Sequence, residues 1–274
     1  MKPAPFDYLR AGTVQEAQAA LAAEGEGARV IAGGQSLVAM LNMRLARPTL
    51  LVDVMHVAGG AEIRVERGQL VVPFAVRQAA LLNRRDLLSE VPLLAAALPW
   101  VGHVQTRARG TVCGSVAHAD PSAEIALALV ALDGRVHLRG RGARRLPAAE
   151  FFTGMMQTAA RPDEMIEAVS FPLSQEGTGH AFNEVGIRHG DFAIVSVAAI
   201  ATGDRLRLAI GGVNDTPLVR DWSSLDERQV DDALNDLAWS LDARNDLHAT
   251  ARYRRALVRR LGRKTIKEAR QCAA

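Results

Sequence analysis

The segment Arg107-Ala108-Arg109-Gly110-Thr111-Val112-Cys113-Gly114-Ser115-Val116-Ala117-His118-Ala119-Asp120-Pro121-Ser122-Ala123-Glu124 constrains this chain more than any other. It reads as a tight polar loop running into a helix over 121–132. That helix is apolar nearly all round, so it should be buried. Asp120 is a good N-cap, and Pro121 suits the first helical position. Glu124 puts a negative charge in the first turn, where the helix dipole favours it. Ahead of the helix lie small residues with free backbone N–H groups and two hydroxyls, Thr111 and Ser115. Such a turn lets an anion approach the backbone closely.

A second turn of the same character comes earlier. Val30-Ile31-Ala32 reads as the end of a buried strand, and Gly33-Gly34-Gln35-Ser36 follows. Ser36 can cap a helix from Leu37 to about residue 45. A lone Gly-Gly turn is most often an ordinary tight turn. Two Gly/Ser loops, each between apolar segments, predict two phosphates held from two sides.

Composition bounds the remaining possibilities. The chain has 274 residues, enough for one large or two modest domains. Hydrophobic residues make up 49% and charged residues 23%, as in a soluble globular protein. The longest apolar run, over 125–132, falls short of the ~18 residues of a membrane span. Met1-Lys2-Pro3-Ala4-Pro5-Phe6 lacks the apolar region of a signal peptide. Cys113 and Cys272 lie far apart without metal or redox spacing, so a cytoplasmic chain without a disulfide is expected. An iron–sulfur cluster needs about four thiolates. Any such centre must therefore sit on a partner.

The net charge is only +3, but the stretch 252–270 is strongly basic. Tyr253, Ala256, Leu257, Leu261 and Ile266 fall near helical spacing within it. The stretch reads as a docked amphipathic helix with a solvated or partner-facing side rather than a nucleic-acid arm, since no DNA- or RNA-binding motif accompanies it. No Ser/His/Asp set, HExxH or P-loop lysine is present, so hydrolysis and phosphoryl transfer have no support.

Taken in order, Thr13-Val14-Gln15-Glu16 is a capping box opening a helix that stops at Gly25. Strands are expected over 29–32 and 50–54. A hairpin over 62–72 turns at Arg67-Gly68. Helical periodicity marks 76–88 and 91–100. After the buried helix, Asp133-Gly134 is a turn, 135–138 a short strand, 140–145 a basic loop, 148–153 a short helix and 165–171 a strand. Ser174-Gln175-Glu176-Gly177-Thr178-Gly179 is the most linker-like stretch and divides the chain into domains 1–175 and 176–274. Beyond it, strands over 180–187, 193–201 and 205–213 and helices over 225–241 and 248–261 form an α+β layer with a three-stranded antiparallel sheet.

Ala32-Gly33-Gly34-Gln35-Ser36 and Thr111-Val112-Cys113-Gly114-Ser115 resemble the two FAD-diphosphate signatures of the flavoprotein (medium) subunits of molybdenum hydroxylases, of the carbon monoxide dehydrogenase and xanthine dehydrogenase type. The resemblance continues through Ala117-His118-Ala119-Asp120-Pro121, Phe151-Phe152-Thr153-Gly154 and Arg188-His189-Gly190-Asp191-Phe192-Ala193. Gly211-Gly212-Val213 and Tyr253-Arg254-Arg255 extend it over nearly the whole chain. It implies an α+β chain, with the two-lobed FAD-binding fold of the vanillyl-alcohol-oxidase (PCMH) type followed by a small C-terminal domain.

The resemblance also implies noncovalent FAD in contact with Val30, Ile31, Ala32, Gly33, Gly34, Gln35, Ser36, Leu37, Val101, Thr111, Cys113, Gly114, Ser115, Ala117, His118, Glu124, Ile166, Asp191 and Phe192. Among these, Glu124 would meet a ribose or the adenosine, and Val101 and Ile166 would give apolar contacts. Asp191 and Phe192 would lie nearest the isoalloxazine ring. Asn183 matches a position near the flavin head where the family elsewhere has lysine. Cys113 stands where the family usually has glycine; it is either a small filler or a redox thiol with a pKa lowered at a helix N-terminus, and Gly114 must then allow the close approach. His118 is either a flavin-attached or catalytic histidine, or one making a single backbone hydrogen bond beside the cofactor.

The function implied is electron relay: FAD here, with molybdopterin on a large partner subunit and iron–sulfur clusters on a small one, in a dimer of heterotrimers. No nucleic acid or membrane span enters this picture. Two rivals are a stand-alone flavin oxidase or reductase and a nonenzymatic nucleotide-binding regulator.

Overall fold

The computed structural model describes residues 2–273. The first lobe is small. It holds β1 (Asp7–Arg10), α1 (Val14–Glu24), β2 (Ala28–Ile31), α2 (Leu37–Asn42) and β3 (Leu50–Asp53). The three strands form a parallel sheet in the order β1-β3-β2. The Thr13 hydroxyl accepts from the Glu16 N–H at 3.1 Å, and the Glu16 carboxylate accepts from the Gly12 N–H at 2.8 Å, so α1 starts where its capping box directs.

The second lobe runs from β4 (Arg64–Glu66) and β5 (Gln69–Pro73) through α3 (Gln78–Leu82), α4 (Leu87–Glu90), α5 (Pro92–Ala97), α6 (Val104–Arg109), α7 (Val112–His118) and α8 (Glu124–Ala131). It continues with β6 (Arg135–Arg139), β7 (Ala143–Pro147), α9 (Ala148–Phe151), β8 (Phe152–Gly154), β9 (Gln157–Thr158) and β10 (Met165–Pro172). Its five-stranded sheet has the order β4-β5-β10-β6-β7. Arg67 and Gly68 both take positive φ (51° and 72°), giving the tight hairpin turn between β4 and β5.

The last part comprises β11 (Thr178–Val185), β12 (Val195–Thr202), β13 (Arg205–Gly211), β14 (Leu218–Ser223), α10 (Val230–Ser240) and α11 (Ala251–Ala273). Its sheet is four-stranded and antiparallel, not three-stranded, because β14 pairs with β13 from Arg205↔Ser223 to Ile210↔Leu218. The second half of the expected basic loop over 140–145 is likewise strand, as β7 pairs with β6. These two strands are edges whose outward side chains are charged, so alternation of hydropathy does not reveal them.

Helix boundaries also move. The periodic stretches 76–88 and 91–100 break into α3, α4, α5 and a 3-10 turn over Leu98–Trp100. The buried helix begins at Glu124, not at Pro121. Asp120 instead accepts from the Ser122 N–H at 2.8 Å in a turn, and Ala123 occupies the N-cap without a side-chain bond. The Pro121 carbonyl is drawn away from the helix by the Gly212 N–H at 2.8 Å. Ser36 makes no capping bond, and α2 ends at Asn42. Helix α10 begins at Val230 rather than 225, and α11 extends to Ala273 rather than ending near 261.

Every residue of α8 is buried, because layers cover it on both sides. Alternation along the C-terminal sheet supplies the outer layer. Phe182, Ala198 and Ala209 join the core of the second lobe, while Val195, Val197, Leu206, Leu208 and Ile210 join a separate core with α10 and α11. Small residues let α8 approach this sheet. A Cβ on Gly211 would lie 2.5 Å from Ser196 Oγ and 3.4 Å from both Leu127 Cδ2 and the Pro121 carbonyl. Arg254, 5% exposed, ties α11 to the same seam by donating to the carbonyls of Ile194 (2.5 Å) and Gly212 (2.7 Å) and pairing with Asp246.

Two acids are buried at this seam: Glu124 opens α8, and Glu184 sits on β11 opposite Ser196. Burial pushes Glu124 up to about 7, with Asp120 adding to the rise. Burial pushes Glu184 up to about 8, with Glu124 adding to the rise. Folding therefore takes up protons between the ordinary carboxylate range and about pH 8, and stability falls as pH rises through that window. Glu184→Gln should raise the melting temperature of the flavin-free chain by several degrees at pH 8.5 and change it little at pH 5. Equal shifts at both pH values would contradict this. Arg254→Met should lower stability by roughly 3 kcal/mol in chemical denaturation, since two buried carbonyls lose their donor.

Candidate functional site

Between the lobes and the C-terminal sheet runs a cleft of about 1560 Å³. Drug-sized ligand pockets span roughly 300–1,000 Å³, so this one suits an extended dinucleotide. Its floor is built where the two glycine turns meet. The first turn leaves β2 at Ile31 and enters α2 at Leu37, with Gly34 at φ 70°. A Cβ on Gly33 would sit 2.2 Å from the Arg109 carbonyl oxygen and 2.7 Å from Gly110 Cα. Only glycine permits that contact.

The second turn is not a loop followed by one helix. It is the joint between α6 and α7. Thr111 is the N-cap of α7, its hydroxyl accepting from the Gly114 N–H at 3.0 Å. Gly114 thus lies within a helix and needs no positive φ. A Cβ there would approach Thr111 Oγ1 to 2.7 Å, so the glycine keeps the cap compact. The joint is held by an antiparallel bridge, Arg77↔Thr111, in which the Val112 N–H donates to the Val76 carbonyl at 3.0 Å.

Cys113 is a core residue. Its Sγ lies 3.4 Å from the Val72 carbonyl, and burial pushes the thiol up to about 12. The redox-thiol alternative, with a lowered pKa, is overturned. Although Cys113 stands in the first turn of α7, desolvation of its buried side chain outweighs any stabilisation of a thiolate there. His118 ends α7 half-buried and has no side-chain hydrogen bond among the described residues, so the single backbone bond considered for it is not formed.

Apolar walls rise on either side. Arg107 donates to the carbonyls of Val101 (2.9 Å) and Gly102 (2.8 Å), fixing the turn that presents Val101. Ile166 projects where β10 changes register between Ile166 and Ala168, a bulge that re-aims the side chain. Glu124 closes one part of the cleft.

The segment 186–193 reaches over from the C-terminal sheet. It is pinned by His189 against Trp100, with ring centroids 4.8 Å apart, and by Gly190 (φ 86°) packed on His103 and the Gly102 carbonyl. Arg188 donates to Asp191 at 3.0 Å and holds its carboxyl below the ordinary range. Phe192 is 65% exposed beside it.

Every residue for which the resemblance implies cofactor contact, from Val30 to Phe192, lines this one cleft. Asn183 does not. It faces α11, donating to Glu268 (2.6 Å) and Thr265 (3.2 Å) and accepting from Lys264 (2.6 Å). Gln78, Arg107 and Arg254 are lining or bracing residues that sequence reasoning did not assign. Only the Tyr253-Arg254-Arg255 match pointed near one of them.

A main-chain contact at Gly33 that excludes a Cβ, the capped start of α7 facing the uncapped start of α2, and apolar walls beyond fit a diphosphate carrying two flat ring systems. The FAD binding domain in molybdopterin dehydrogenase matches residues 4–174, and the CO dehydrogenase flavoprotein C-terminal domain matches residues 180–269. The chain is 36% identical over 283 residues to subunit alpha of the 6-hydroxypseudooxynicotine dehydrogenase complex of Paenarthrobacter nicotinovorans, covering 98% of this chain and 96% of that one.

Its structure superposes on carbon monoxide dehydrogenase from Hydrogenophaga pseudoflava with a TM-score of 0.93 at 27% identity, covering 100% of both chains. The TM-score against quinoline 2-oxidoreductase from Pseudomonas putida 86 is 0.92 at 30% identity, covering 100% and 99%. This chain belongs to the FAD-binding flavoprotein subunits of the molybdenum hydroxylases and is an oxidoreductase subunit.

Proposed function

We propose that FAD lies extended in the cleft with its diphosphate between the two glycine turns and its isoalloxazine ring toward Asp191 and Phe192. Bound there, FAD would supply electron transfer between an iron–sulfur partner and an external acceptor. Substrate oxidation belongs to the molybdenum partner. The observation that carries this reading is the backbone contact of Gly33 with Arg109 and Gly110, which brings both signatures to one place.

The chain's own residues bind, orient and shield. Gly33, Gly34 and Ser36 on one side and Thr111 and the Ser115 hydroxyl on the other present polar groups to the diphosphate, while Gly114 keeps the Thr111 cap compact. Val101 and Ile166 exclude water from the apolar walls, and Glu124 takes the ribose hydroxyls. The segment 186–193 covers the cleft from the C-terminal domain, whose start we place at residue 176. The complex is a dimer of heterotrimers in the cytoplasm, and no helix among the described residues is long and apolar enough to cross a membrane.

Two measurements test this. Purified from its native host, the chain should be yellow and accompanied by two further subunits carrying molybdenum and iron. A flavin-loaded chain alone, with neither metal, would favour a self-sufficient flavoenzyme. A colourless chain that binds adenine nucleotides would favour a regulator. Gly33→Ala should weaken FAD binding by more than tenfold, because the added methyl forces the two turns apart. An unchanged dissociation constant would place the diphosphate elsewhere.

A further inference from the structure

We propose that the buried acids Glu124 and Glu184 take up one proton as the flavin nucleotide binds, Glu184 holding it so that Glu124 stays ionised toward the sugar hydroxyls; this rests on the FAD site above. Glu184 lies near the end of β11, on the same face as Phe182, which joins the core of the second lobe. In the ladder it stands opposite Ser196, and Ser196 stands opposite Gly211. This row ends beside Pro121 and Leu127, at the start of α8, whose first residue is Glu124. Glu124 lines the cleft, whereas Glu184 lies behind it and does not.

The surroundings of Glu184 offer its charge nothing to pair with. Its Oε2 is buried without a hydrogen-bond partner among the described residues, and so is the Ser196 hydroxyl across the ladder. Neither α5, which packs on β11, nor β12 contains an ionisable residue. Glu124 is the only one in α8. His180 lies two rows further along β11, opposite Ile200. Arg207 is at the far end of α8, held by Asp133 and Asp221. Lys264 and Glu268 of α11 engage Asn183 on the other face of β11. Arg254 is taken by Asp246, and Arg188 by Asp191. Arg107 and Asp120 act on Glu124. A buried carboxylate with neither donor nor cation is costly, and a proton is what discharges it. Burial, with Glu124 adding to the rise, pushes Glu184 up to about 8.

Filling the cleft strengthens this effect without any contact between ligand and Glu184. The sugar hydroxyls donate to Glu124 and keep it ionised. The diphosphate brings further negative charge. FAD also displaces the water that screens the two acids from each other. Together these changes raise the affinity of Glu184 for a proton, which comes from solvent as FAD binds above neutral pH.

The experiment uses the full chain freed of flavin, titrated calorimetrically with FAD at pH 7, 8 and 9 in two buffers of different ionisation enthalpy. Wild-type affinity should fall about fivefold from pH 8 to pH 9, the course set by one proton bound at a site near 8. The buffer dependence of the heat at pH 9 should count close to one proton taken up per FAD. Glu184→Gln makes the neutral form permanent. Its affinity should match the wild type at pH 7 and hold within about twofold to pH 9, and its heat should lose that buffer dependence.

The proton count on the wild-type chain is independent of how well the variant folds. No uptake by the wild type at pH 9, or the same uptake and the same alkaline loss in Glu184→Gln, would overturn the inference and leave the FAD site in place. Binding weakened equally at every pH in Glu184→Gln would overturn it too, giving Glu184 a structural role alone. A wild-type chain that takes up no FAD at any pH would overturn the site itself, and this inference with it.

Discussion

The cleft depends on one backbone-to-backbone contact. Gly33 leaves no room for a Cβ against the Arg109 carbonyl and Gly110, so the turn after β2 and the joint between α6 and α7 meet with nothing interposed. Neither turn alone makes an anion site of consequence, since each offers a single short helix start. Pressed together, they are held by a main-chain contact that no side-chain rotamer can alter. The Arg77↔Thr111 bridge then ties the joint to the wall formed by α3. The site's geometry is therefore set by main-chain packing, which loses little entropy when a ligand arrives.

The seam behind α8 follows from the same need for close approach. A helix apolar on every face needs two covering layers, and the C-terminal sheet supplies the second through Ala198, Ala209 and Gly211. Larger side chains on that face would hold the sheet away from Pro121, whose carbonyl accepts from Gly212. Closure has an electrostatic consequence. Glu124 stands where cleft and seam meet, and Glu184 approaches it from the sheet. Burial raises both carboxyls, and Glu124 adds to the rise at Glu184. The acid on the sheet therefore responds to the charge of the acid at the cleft wall.

Much of this was legible in the residues. The Gly/Ser turns, the capping box at Thr13, the hairpin at Arg67-Gly68 and the all-apolar helix each have a local physical cause, and each formed. What escaped has equally specific causes. Strands β7 and β14 are edge strands with charged outward faces, so their sequences resemble loops. Asp120 and Pro121 carry the signals of a helix start, but the Gly212 N–H captures the Pro121 carbonyl and delays the helix to Glu124. Cys113 stands at a glycine position of the signature, yet its side chain points into the core because Thr111 caps a helix there. Gln78 carries no local signal, since its surroundings come from segments more than thirty residues apart.

The basic C-terminal stretch shows how a composition signal is spent inside the fold. Arg254 is buried against two carbonyls and Asp246, while Arg263 meets Asp231 and Glu227. Arg270 meets Glu227, and Arg255 lies over the Trp239 ring at 5.0 Å. The exposed pairs are individually weak and do not hold α11 in place. Its apolar side does: Leu257, Val258, Leu261 and Ile266 are buried against the sheet and α10. At Gly179 and Gly262 the neighbouring elements come too close for a Cβ to fit without displacing atoms of Ala269 or Leu234. The charges line the outer side of a core helix, with Arg254 as the exception. Among the described residues it is the only buried arginine, and it reaches the carbonyls of Ile194 and Gly212 at the edge of the cleft.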